Sequence, residues 1–164
     1  MNRTVVKHVI VALVLVLFQT LVLQYAGFLS FVPLVYLYAV LIWPVDMPVW
    51  RALLLGFLIG LAVDVLLDCP GMHAAATTFA VYLRRPLLRT FLSKEETEGM
   101  EPGERSMGFL SFWKYALVMI LCHHFVLYLI ESFSWTDPLM MLLRTLVSSL
   151  LTGVLVFLFE RFRR

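Results

Sequence analysis

Six apolar runs punctuate this sequence, each close to the length a helix needs to cross a bilayer. A crossing takes about 20 apolar residues for about 30 Å of hydrocarbon. The runs cover about residues 5–23, 28–43, 50–67, 72–92, 112–130 and 138–159. Helix-stopping and charged residues fill the breaks: Pro44, Asp46 and Pro48 after the second run, Asp68, Pro70 and Gly71 after the third, Glu131 after the fifth. Pro33 falls in the first turns of the second run, where proline does least harm. Hydrophobic residues make up 62% of the chain and charged residues 15%, against about 45–50% and about 25% in soluble domains. One small core cannot hide that excess. The composition therefore predicts an all-α fold, a single integral membrane domain over residues 1–164 built as a polytopic helix bundle with about six transmembrane helices.

The distribution of charge orients that bundle. With six crossings, Arg3, Lys7, Arg51, Arg84, Arg85, Arg89, Lys94, Arg105, Lys114, Arg161, Arg163 and Arg164 fall on one side. Only Arg144, inside the sixth run, is left out. The positive-inside rule makes that side cytoplasmic and puts both termini there. The fourth run meets Arg84 and Arg85 early, and arginine stems can snorkel to headgroups from such a position. Without that crossing, the later basic residues would fall outside. The first run follows Arg3 and Lys7 as a signal peptide would. Gln19, Gln24 and Tyr25 stand where a small-residue cleavage site belongs, so it reads as an uncleaved span. Trp43, Trp50, Trp113 and Trp135 sit near the expected interfaces, as an aromatic belt requires.

The expected cytoplasmic loop, residues 93–111, contains KEETEGMEPGER, with five glutamates, two glycines and a proline. Such a composition reads as a solvated, flexible connector. No glycine-rich phosphate loop, nucleophile elbow or HExxH motif appears. Cys69 and Cys122 fit neither a disulfide framework nor a metal site and read as packing residues. No cofactor, metal or nucleic-acid partner is expected.

The third run carries Gly56, Gly60, Asp64 and Asp68 at intervals of four, one stripe of a helix. Gly56-x-x-x-Gly60 lets a second backbone approach closely, which is how membrane helices associate. Asp64 lies 14 residues past Trp50, about 21 Å along the helix and so in the outer part of the bilayer. A carboxylate there is costly and marks function. Arg144, six residues past Pro138, reaches a similar depth at about 9 Å, with Ser148 and Thr152 continuing its stripe. The spacing predicts an Asp64–Arg144 pair joining the third and sixth helices. His123 and His124 point about 100° apart on a helix and cannot comfortably share one metal, so they read as packing residues. Gln19 and Gln24 are expected to hydrogen-bond across helices.

The stretch GFLIGLAVDVLLDCPGMHAAATTFAVYLRR, residues 56–85, resembles the rod shape-determining protein MreD family. The matching positions are Gly60, Asp64, Gly71, His73, Ala74 and the Arg84–Arg85 pair. The resemblance implies a non-enzymatic scaffold in the bacterial inner membrane, serving the cell-elongation machinery, rod shape and lateral peptidoglycan synthesis. It implies MreC as partner, and through it MreB, RodA and a class B penicillin-binding protein. The family is also similar in fold to the substrate-capture subunits of vitamin transporters. A small-solute capture subunit is the alternative function, although the first run has Ala12 alone where such subunits carry an Ala-x-x-x-Ala docking face. An intramembrane enzyme using Asp64 with His123 or His124 would still need a nucleophile.

Overall fold

A computed structural model describes residues 3–26, 31–92, 99–132 and 137–163. Residues 93–98 of the acidic stretch and Trp135 lie outside the described residues. The described chain is an all-helical bundle, and four of its helices are long and apolar enough to cross a membrane: Val5–Leu23, Val49–Leu67, Phe109–Glu131 and Pro138–Phe162.

Helix α1 (Arg3–Phe18) runs into a π-helical turn, Gln19–Leu23, and ends in α2 (Gln24–Ala26). The widened turn goes with two inward polar side chains: Thr20 Oγ1 donates to Val16 O at 3.0 Å, and Gln19 Oε1 accepts from Val35 N at 2.9 Å. Gln19 thus bonds across elements, whereas Gln24 is exposed. A short helix α3 (Leu37–Leu41) follows, then α4 (Val49–Leu67) and α5 (Met72–Phe91). After α6 (Glu104–Met107) come α7 (Phe109–Glu131) and α8 (Pro138–Phe162). Asp137 caps α8 by accepting from Met140 N at 3.0 Å, and Pro138 occupies the first turn, where its missing N–H costs nothing.

The second expected span takes a different form. Within residues 31–43 only Leu37–Leu41 are α-helical, and every residue from 34 to 43 is buried. This segment is an inner pass wrapped by longer helices, with no lipid-facing side. Pro33 lacks an N–H, and the donors after it find side chains instead: Leu34 N donates to Thr152 Oγ1 at 2.8 Å and Val35 N to Gln19. At the other end, Arg84 Nε donates to Val40 O at 3.1 Å and Arg84 Nη2 to Trp43 O, while Tyr115 Oη donates to Leu41 O at 3.3 Å. Irregular backbone at membrane depth survives only where protein groups satisfy it. Arg84 is therefore buried and structural, not snorkelled, while Arg85 next to it is exposed. Trp43 is likewise buried in the core, not in an interfacial belt.

Helix α5 is 20 residues long, yet Arg84, Arg85 and Arg89 keep it out of the strongly apolar set. The fifth run begins earlier than expected, at Phe109 after the left-handed Gly108. Lys7 near the start of α1 and Arg163 just past α8 both bond Glu101, so these two ends of the chain are neighbours.

Candidate functional site

The residues that carry the sequence signal meet at the join between α4 and α5. Asp68 and Gly71 adopt left-handed backbone conformations (φ 54° and 87°), which reverse the chain in four residues. Cys69 N closes the end of α4 by donating to Asp64 O at 2.8 Å. The reversal lays α5 directly against the glycine stripe of α4. A Cβ at Gly60 would stand 2.5 Å from Ala74 Cα and 2.5 Å from His73 O, and one at Gly56 would stand 2.6 Å from Val81 Cγ2. Gly60 therefore admits the backbone of the hairpin neighbour, and Gly56 admits the side chain of Val81.

Asp64 is buried and turned into this join. Its Oδ1 accepts from His73 N at 3.0 Å and its Oδ2 from Ala74 N at 2.8 Å. These are first-turn amides of α5, which have no partner within their own helix. A carboxylate satisfies them and meets the positive end of the helix dipole. The expected Asp64–Arg144 pair does not form. Arg144 Nη2 instead bonds Glu131 at 2.8 Å and 3.0 Å to its two oxygens, with its guanidinium 4.6 Å from the Tyr128 ring centre. Each of the two charges has its own neighbour. Ser148 faces α7, its Oγ 2.8 Å from Tyr128 Oη.

Behind the join lies a polar network inside the bundle. Tyr36 Oη, from the inner pass, lies 3.1 Å from His73 Nδ1 and 2.9 Å from His123 Nε2, and it accepts from Thr77 Oγ1 at 3.4 Å. His124 bonds Ile120 O through Nδ1 at 2.9 Å and sits 3.2 Å from Thr152 Oγ1 through Nε2. His123 and His124 thus look toward different partners, on different helices. Tyr36 ties the inner pass to α5 and α7 at once. It was missed in the sequence because one tyrosine in an apolar run carries no spacing signal. Asp64, Cys69 and His73 also bring one ligand-type atom each to within 4.8 Å of one another.

A second polar knot gathers Lys7, Glu101, Glu160 and Arg163. Glu101 bonds Lys7 at 2.6 Å, His8 at 3.4 Å and Arg163 at 3.4 Å. Glu160, buried on α8, accepts from Tyr38 Oη at 2.7 Å and from Glu104 N at 3.1 Å. Met100 O accepts from Val45 N at 2.9 Å. Residues 99–106, expected as part of a flexible connector, are instead anchored to four elements. A glutamate-rich composition hides this, because composition does not say which carboxylates meet partners.

The chain matches no protein-family model, no curated protein and no solved structure.

Proposed function

We propose that this chain is a non-enzymatic inner-membrane scaffold of the bacterial cell-elongation machinery. It crosses six times, with the inner pass as its second crossing, α5 as its fourth and both termini cytoplasmic. One observation carries the reading. Gly60, Asp64, Gly71, His73 and Ala74, on which the resemblance to the MreD family rests, are the residues that shape the α4–α5 join. Their work is architectural: close approach, helix capping and chain reversal. The hydroxyls near them are spent on structure: Thr78 donates to Ala74 O and Thr77 to Tyr36 Oη. A rigid membrane platform is what such residues make, with MreC as the partner that connects it to MreB, RodA and a class B penicillin-binding protein.

The alternative, a small-solute capture subunit, has one observation in its favour. A cavity of about 540 Å³ lies between α1 and α4, with His8, Asp46 and Arg51 among otherwise apolar walls. Depletion in a rod-shaped host separates the two readings. A scaffold predicts rounded, widening cells that continue to divide. Rods of normal width after complete loss would contradict it, and solute-dependent thermal stabilisation of the purified protein would then support the alternative.

A further inference from the structure

We infer that Asp64, Cys69 and His73 form a binding site for a divalent transition-metal ion of the zinc type at the α4–α5 join. A carboxylate, a thiol and an imidazole are the donors such ions select. One ligand atom from each lies within 4.8 Å of the other two. In a tetrahedral zinc site, neighbouring ligand atoms are about 3.3–3.5 Å apart, given metal–ligand bonds of about 2.0–2.3 Å. The three groups therefore need to close by at most about 1.5 Å, a side-chain adjustment. Three protein ligands leave a fourth position open to water or to a group from a partner.

The surroundings of each group support the same conclusion. Metal-bound histidines hold their other ring nitrogen in a hydrogen bond. His73 is buried, and its Nδ1 is engaged by Tyr36 Oη at 3.1 Å, which leaves Nε2 as the nitrogen for a ligand. In that form Nδ1–H donates to Tyr36, and Tyr36 can pass its own proton toward His123 Nε2, 2.9 Å away. The Asp64 carboxylate is oriented by two backbone amides and keeps lone pairs beyond those it gives to them. Cys69 is placed by the left-handed turn at Asp68, and it is half-buried while Asp68 is exposed, so an ion has a path in. Binding exchanges the thiol proton for the metal and releases it to solvent. The site is independent of the scaffold reading, since it rests on the join alone.

The test is a cobalt titration of the purified full-length protein in detergent, followed by displacement with zinc. One equivalent of Co²⁺ should bind and produce a thiolate-to-cobalt charge-transfer band, which Zn²⁺ then removes. Cys69→Ser should abolish the band, while Cys122→Ser, which leaves the other thiol, should retain it. His73→Gln should weaken binding by at least about 10–100-fold, the loss typical for disturbing even an outer-shell partner. Zn²⁺ should raise the melting temperature of the wild type and of Cys122→Ser, but not of Cys69→Ser. Absence of stoichiometric uptake by the wild type would overturn the inference. So would a thiolate band, or a zinc-induced melting shift, that survives Cys69→Ser.

Discussion

At the scale of single residues, Asp64 is a cap for α5. Asp64→Leu leaves the His73 and Ala74 amides buried without an acceptor, and an unsatisfied buried group costs about 1–3 kcal/mol. Thermal unfolding in detergent should show that loss, with Asp64→Asn milder because one acceptor oxygen remains. Arg144→Leu should cost about 0–1 kcal/mol, since its partner Glu131 is at the surface. A double-mutant cycle between Asp64 and Arg144 should give coupling within about 0.5 kcal/mol of zero, as for independent sites. A coupling of several kcal/mol would restore the direct pair. Spacing along helices suggests similar depths for the two charges, yet depth alone does not choose a partner. The amides that Asp64 serves are backbone donors, which leave no trace in a pattern of side chains. Gly60→Ala would drive a methyl into the backbone of Ala74, and overpacking of this kind costs about 1–3 kcal/mol.

At the scale of elements, hydropathy identifies α1, α4, α7 and α8 because each keeps an apolar surface over the thickness of a bilayer. At residues 31–43 the same signal does not tell what surrounds the segment. An apolar run looks alike whether lipid or protein surrounds it, and Pro33 gives only a faint warning. What holds the inner pass is supplied from elsewhere: Thr152 on α8, Gln19 in the π turn, Arg84 on α5 and Tyr115 on α7. Arg84 is therefore the residue to test. Arg84→Leu removes the guanidinium donors from the carbonyls of Val40 and Trp43. Hydrogen exchange across residues 37–43 should accelerate markedly, while α8 keeps its protection. Arg84→Lys should rescue only in part, because a single ammonium cannot reproduce the fork that reaches the carbonyls of Val40, Trp43 and Pro44. Unchanged exchange in Arg84→Leu would mean that packing alone secures the segment.

At the scale of the whole molecule, two polar junctions tie the helices together, the α4–α5 join and the Glu101–Glu160 knot. The acidic stretch illustrates how far composition can be trusted: its charge suggested a loose connector, but Glu101 and Glu104 engage side chains on α1, α7 and α8. Shortening residues 93–98 should be tolerated, whereas Glu101→Ala should lower the melting temperature by releasing Lys7, His8 and Arg163 together. The scaffold reading treats this tied bundle as a platform for a partner that itself crosses the membrane. The most direct measurement is co-purification of MreC with the tagged protein from a rod-shaped host. MreC should be retained through detergent extraction, and retention should fall in Gly60→Leu, where the α4–α5 join is forced open. Recovery of the intact, folded protein without MreC would contradict the account.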